Sequence, residues 1–299
     1  MATFERAELR VSSVRAHQEG RLREALDGYT RYVQHYPTDA GVWTNLGSLY
    51  RTMGQHDMGR TAQMRAYALA PDGKGVINNY SNILSDLGDD AGSIKLRKKS
   101  LEIDPSYLMH HAMIGRCMRG MDDYEEVIKY LAPMAKKFPE EPEIRLQLAF
   151  AQLGAGHYGP AFRSYDARWA TDELGTPDVP FTKWEDGVSV DGKTLLILPE
   201  QGFGDMILLL RFIPFIRALG AKIRLVAKKP LLRLLEGIDG IEWIGTGAAR
   251  EDPVDFWLSL MDLPKLVFGP AENGVAPEPT KLKIPDDSTD RAKTITAQH

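Results

Sequence analysis

Cysteine is nearly absent from this sequence. Cys117 stands alone among 299 residues, so no intramolecular disulfide can form and no cysteine-based zinc site can be built. A long apolar run is missing as well. The most apolar stretch, Met206 to Ile216, is broken by Arg211 and Pro214 and falls short of the ~18 residues that suggest a membrane span. The opening MATFERAELR carries charges of both signs and no apolar core, unlike a secretory leader. A charge excess is also lacking. Lys and Arg number 37 against 41 Asp and Glu, a net of -4, so no nucleic-acid partner is expected. These absences predict a soluble, cytoplasmic chain. What remains is ordinary globular composition, 43% apolar and 26% charged, with length for about two domains at ~150 residues each.

Four prolines organise the N-terminal half. Pro37, Pro71, Pro105 and Pro139 are spaced by 34 residues each (71-37, 105-71, 139-105). Trp43, Leu46, Gly47 and Tyr50 form W-x2-L-G-x2-Y, and Gly54, Ala66 and Pro71 follow in order. This period and pattern are those of the tetratricopeptide repeat, a helix–turn–helix unit. Repeats are predicted at 6–39, 40–73, 74–107 and 108–141, with a partial fifth at 142–170, so that 1–170 forms an α-solenoid. Gly20, Gly54, Gly88 and Gly156 share the register of the inter-helix turn, where a positive φ suits glycine. The fourth repeat places Asp122 there instead. Gly47 and Gly115 let the two helices of a repeat approach closely.

Such an array offers either a spacer or a groove for a protein or peptide. Asn45 and Asn79 hold one repeat position, 34 apart, and a side-chain amide can clamp a peptide backbone as donor and acceptor. The competing reading is a solvated polar position. The ladder stops there, since Met113 and Gln147 follow at the next two positions. His110 and His111 are neighbours on a helix and point ~100° apart, so no metal site is expected there. Cys117 reads as a small buried packing residue. The run Lys95, Arg97, Lys98, Lys99 reads as a solvated helix face.

The pattern changes near residue 171. Pro177, Pro180, Gly187 and Gly192 mark a linker over 171–192, within which Trp184 is expected to dock on a neighbouring surface. Strands are predicted at 194–198, 222–227, 241–244 and 254–258, and helices at 206–219, 230–236 and 263–268. Alternating strands and helices imply a parallel sheet. Gln201, Gly202, Phe203, Gly204 and Asp205 lie at the carboxyl end of the first strand, where open α/β sheets place ligands. A helix start there favours an anion. From Lys193 to Leu235 eight Lys/Arg face two Asp/Glu, a net of +6, while Glu236 to His299 nets -6 (six against twelve). Asp205 can be read as a general base on an acceptor hydroxyl or as a helix N-cap. No third glycine completes a dinucleotide fingerprint, and no cofactor is expected.

The segment KTLLILPEQGFGDMILLLRFIPFI resembles the start of the glycosyltransferase-like domain of bacterial tetratricopeptide-repeat glycosyltransferases, relatives of O-linked N-acetylglucosamine transferases and heptosyltransferases. Tyr165, Arg168 and Trp169, then Trp184, the Glu200–Asp205 loop, Arg211, Pro214, the run Leu260–Pro264, Phe268, Gly269, Ile284 and Pro285 match in order. The resemblance implies a Rossmann-like α/β half of a GT-B fold over 193–285, with 286–299 opening a linking helix. It implies Asp205 as candidate base and Gln201, Gly202, Phe203 and Gly204 as the ligand loop. Only 107 residues follow Gly192 (299-192), enough for one half. A nucleotide-sugar site would then lack its second half, and the chain is either a fragment or a natural short form. Two functions follow: the acceptor-side part of a glycosyltransferase, or a non-catalytic repeat scaffold with a docking α/β domain.

Overall fold

The computed structural model describes residues 2–171, 174–200, 202–247, 253–268 and 275–296. The chain divides into two units, Met1–Ala151 and Gln152–His299.

The first unit is a succession of paired helices: α1 (Ala2–Gln18) and α2 (Leu22–His35), α3 (Ala40–Thr52) and α4 (His56–Leu69), α5 (Lys74–Asp86) and α6 (Asp90–Ile103), α7 (Met109–Gly120) and α8 (Tyr124–Lys137), then α9 (Pro142–Gly154). Each proline of the 34-residue series directly follows a helix C-cap, namely Tyr36, Ala70, Asp104 and Phe138. Proline cannot extend the helix, so the period of the sequence becomes the period of the fold. Aspartates open several helices. Asp39, Asp89 and Asp123 accept from the amides of Val42, Gly92 and Glu126 at 3.2, 2.9 and 3.1 Å.

The turn register behaves as its residues dictate. Gly20, Gly54 and Gly88 have φ of +75°, +72° and +76°, and Asp122 adopts +60° in the same place. Asp tolerates the left-handed region at a cost that glycine avoids. Asp122→Gly is therefore expected to raise the stability of the first unit by about 1 kcal/mol. Urea denaturation followed by helical circular dichroism reads the change; an unaltered or lower midpoint would contradict it.

Close approach within each pair also follows the repeat. A methyl group at Gly47 would lie 2.6 Å from Gln63 Nε2, and one at Gly115 would lie 2.5 Å from Leu131 Cδ1. Ser81 and Ala149 occupy the same register, one period after Gly47 and Gly115 respectively, and both are fully buried. Smallness, rather than glycine itself, is what the position requires.

The second unit holds α10 (Tyr158–Ser164), a 3-10 helix (Tyr165–Ala170), β1 (Thr194–Leu198), α11 (Phe203–Leu209), α12 (Ile213–Ala218), β2 (Lys222–Val226), α13 (Leu232–Leu235), β3 (Trp243–Gly245), β4 (Phe256–Ser259), α14 (Leu263–Phe268) and α15 (Asp286–Thr296). The strands form a parallel sheet of order β3-β2-β1-β4. β1 is buried on both faces. Leu195 and Ile197 join one core with Ile213, Ile216 and Leu263, while Leu196 and Leu198 join another with Trp257, Val179 and Phe181. The linker covers that second face. Thr182 O accepts from Trp257 N at 2.9 Å, and Trp184 N donates to Trp257 O at 2.8 Å, so the linker adds a short parallel bridge to the edge of β4. Trp184 is buried and donates its indole N–H to Val188 O.

Three sequence expectations are corrected here. The helix expected over 206–219 is broken, because a 3-10 turn at Leu210–Phe212 separates α11 from α12. Pro214 sits in the first turn of α12, where its missing N–H is harmless. The helix of the partial fifth repeat belongs with the sheet: Phe162 of α10 stacks on Phe268 of α14 at 6.0 Å between ring centroids. Finally, the basic run of α6 is not a uniformly solvated face, since Arg97 is buried.

Candidate functional site

In the first unit, Asn45 and Asn79 stand half-buried on α3 and α5, adjacent first helices of consecutive repeats. Asn79 Nδ2 donates to Thr44 Oγ1 at 3.4 Å, and Thr44 in turn donates to Gln63 Oε1 at 2.8 Å. Of the other two register positions Met113 is apolar, and Gln147, like Asn82 outside the register, is engaged by an arginine. Gln147 accepts from Arg119 at 3.0 Å, and Asn82 accepts from Arg97 at 2.8 Å. The two histidines have separate partners. His110 Nε2 lies 3.3 Å from Asn78 Oδ1, and His111 Nδ1 lies 2.7 Å from the Tyr130 hydroxyl. Burial lowers the pKa of His110 to about 4, so it stays neutral at physiological pH. Among the described residues no group of three or more His, Cys, Asp or Glu is placed to hold a metal.

In the second unit, the loop after β1 ends in the start of α11. Gln201 lies outside the described residues. Gly202, Phe203 and Gly204 are exposed, and the Phe203 ring has Lys228 Nζ 5.7 Å from its centroid. Asp205 is half-buried, and its Oδ2 accepts from Gly202 N at 3.0 Å. The N-cap is therefore Gly202, with Asp205 at the third helical position reaching back to the cap.

The strongest electrostatic feature of this unit was not singled out from sequence. Arg168, on the 3-10 helix after α10, donates from Nε and Nη2 to the two oxygens of Glu200 at 2.8 and 2.9 Å. Nη2 also reaches Asp262 Oδ1 at 2.9 Å. Glu200 follows β1, and Asp262 follows β4. Ser259, the last residue of β4, donates from Oγ to Glu200 and from its amide to Asp262. Lys265 Nζ donates to both oxygens of Asp166 at 2.8 and 2.9 Å and lies 3.5 Å from Asp262. Arg168, Asp262 and Lys265 are almost wholly buried. Burial opposes the charge of Asp262, yet Arg168 and Lys265 outweigh it and hold that carboxyl below its ordinary value. Strand order reverses between β1 and β4, and open α/β sheets receive ligands at the carboxyl ends of such strands. Here the Arg168 guanidinium bridges the residues that follow those two strands. Arg168, Glu200 and Asp262 all lie in segments that carry the family resemblance, but 32 and 94 residues separate them from Arg168, too far for any local pattern to pair them.

Comparison with known proteins finds a known repeat in the first unit. Residues 40–72 match the family model for the tetratricopeptide repeat. A solved structure of MamA covers 57% of this chain and 97% of its own, at 12% identity and a TM-score of 0.50. A tetratricopeptide repeat protein from Parabacteroides merdae covers 55% and 66%, at 16% identity and a TM-score of 0.50. These likenesses are of fold. The first unit is a tetratricopeptide-repeat solenoid. Protein FlbA of Caulobacter vibrioides is 26% identical over 205 residues, which is 64% of this chain and 33% of FlbA. The chain thus spans about a third of the length of that curated relative. Among the described residues no helix of the solenoid or of the sheet unit is long and apolar enough to cross a membrane.

Proposed function

We propose that this chain is a protein-interaction scaffold, in which the solenoid receives an extended segment of a partner protein and the α/β unit serves as a non-catalytic docking domain. The observation that carries the reading is the pair Asn45 and Asn79, one repeat period apart and half-buried on adjacent first helices of the solenoid. Stacked repeats build extended binding surfaces, and amides at repeat spacing can pair with a peptide backbone irrespective of its side chains. The buried Arg168 bridge between the ends of β1 and β4 supports its non-catalytic role, because the charged groups beside those strand ends are engaged with one another. The test is capture of short peptides of varied composition on an array by the full chain. Retention of peptides, weakened by the double substitution Asn45→Ala and Asn79→Ala, is the expected result. Capture of none would end the scaffold reading.

A second reading is favoured by the parallel order β3-β2-β1-β4 and by the exposed Gly202–Gly204 turn after β1. It takes this unit as a Rossmann-like, acceptor-side half of a GT-B glycosyltransferase, with Asp205 as base. Calorimetric titration with UDP, GDP, ADP and their sugar conjugates separates the two. The scaffold reading expects no binding heat. Micromolar binding, lost in a variant of the Gly202–Gly204 turn, would favour the transferase. Asp205→Asn would then remove activity in a chain supplied with a second half, without disturbing the fold.

A further inference from the structure

One position of the repeat register has an occupant at odds with its surroundings. Tyr29, Gln63, Arg97 and Leu131 recur every 34 residues (63-29, 97-63, 131-97) on α2, α4, α6 and α8. All four are buried, Arg97 being 2% exposed. Tyr29 and Leu131 show that the fold accepts an apolar side chain there. Gln63 satisfies both ends of its amide on Thr44. The partners of Arg97 are Ser93 Oγ, to which Nε donates at 3.2 Å, Asn82 Oδ1, to which Nη2 donates at 2.8 Å, and the Cys117 sulfur. Among the described residues no carboxylate pairs with it. An arginine cannot discharge by losing its proton, so burying it unpaired is costly.

The guanidinium borders a cavity of about 400 Å³ that Asn82, Ser85, Met113 and Arg116 also line. Arg116 is exposed and forms no ion pair among the described residues. Burial works against the charge of Arg97 and of Arg119, and the nearby Arg116 adds to this in both. Two carboxylates also reach the cavity. Asp86 is already engaged by Arg51 Nη2 at 3.1 Å, and Asp90 lies against Gly120 without an ion pair. Three guanidinium groups, those of Arg51, Arg97 and Arg116, thus line a space with two carboxylates; with Arg51 and Asp86 paired, Arg97 and Arg116 face the one free carboxylate, Asp90.

We propose that this cavity anchors a carboxylate of an acidic partner peptide, with Arg97 as its buried donor and Arg116 as the cation at its entrance. This rests on the scaffold reading and names the chemistry of the partner. A planar carboxylate matches the edge of a guanidinium, whereas a dianion would meet Asp86 and Asp90 at close range.

The test uses Arg97→Leu, which installs the kind of residue found at Leu131. The full chain and this variant are compared on the peptide array, where acidic peptides are paired with Glu→Gln versions. The expected result is capture of acidic peptides by the wild type, weakened about tenfold or more both by Arg97→Leu and by Glu→Gln, with a thermal midpoint at or above that of the wild type. Peptides lacking acidic side chains, with free or amidated C-termini, separate a terminal carboxylate from a side-chain one. Equal capture by wild type and variant overturns the anchor and leaves the scaffold standing. Capture of nothing by the wild type overturns both. Should Arg97→Leu melt lower, Arg116→Gln decides: this exposed position leaves the fold intact, and unchanged capture of acidic peptides overturns the proposal.

Discussion

Arg168→Ala is expected to destabilise the α/β unit by about 3–5 kcal/mol, the loss typical when one member of a buried ionic group is removed. The reason is the partners left behind. Glu200 loses both bonds to the guanidinium, and Asp262 keeps only Ser259 N and the longer contact to Lys265. Three carboxylates, those of Asp166, Glu200 and Asp262, then share Lys265 and Lys183. Lys183, whose charge is itself opposed by burial, cannot take over, because it sits over the Trp169 ring at 4.4 Å. Urea denaturation gives a direct reading. Trp169, Trp184, Trp243 and Trp257 report the α/β unit and only Trp43 reports the solenoid, so the fluorescence transition should move to lower urea while the helical signal of the solenoid holds. A fluorescence midpoint unmoved by the substitution would sink the argument.

The same group predicts a pH dependence with a definite sign. Asp262 is held below its ordinary value of 3.8, so its contribution is present above that value and is lost as pH falls through the folded-state value. Without Arg168, burial is opposed only by the lysines and the Ser259 amide, and the carboxyl moves upward. The stability gap between wild type and Arg168→Ala should therefore narrow on acidification below about pH 4. A gap that widened there would show that Asp262 does not depend on Arg168.

The solenoid was legible because its information is local and repeated. Prolines after each C-cap, the turn register and the small residue of each first helix all fall within one 34-residue period, and Asp122 keeps the turn even without glycine. The strands of the sheet were legible for a similar reason, as short apolar runs between turn residues. What escaped was long-range or contrary to type. Arg97 looked solvated because it sits among Lys95, Lys98 and Lys99; only the comparison with Gln63 and Leu131, one period away on either side, reveals a core position. The Arg168–Glu200–Asp262 group joins segments 32 and 94 residues apart, and each residue looks unremarkable in its own segment. Asp205 was read as a base or a cap. Its place at the third helical position bonding back to Gly202 depends on where α11 begins, a boundary that sequence fixes only loosely.

In the fourth repeat, Leu131→Ala is expected to lower solenoid stability by about 2–5 kcal/mol, since Leu131 is fully buried and its loss leaves a cavity. The informative partner is Gly115. In the wild type, Gly115→Ala gains roughly 1 kcal/mol of helix propensity but forces a methyl group to 2.5 Å from Leu131 Cδ1, an overpacking that costs about 1–3 kcal/mol. Leu131 has no room to retreat among Ala112, Val127 and Ile144. The net effect should be destabilising. In the Leu131→Ala background the obstacle is gone, the new methyl fills part of the cavity, and Gly115→Ala should become stabilising by up to about 1 kcal/mol. Such a reversal is a coupling between two residues in contact, measurable as a double-mutant cycle by urea denaturation at the helical signal. Additive losses would mean that α7 and α8 relax apart rather than hold their spacing. Because a repeat array is stabilised mainly by its nearest neighbours, the Leu131→Ala transition should also broaden, as repeats on either side of the fourth lose the interface that ties them together.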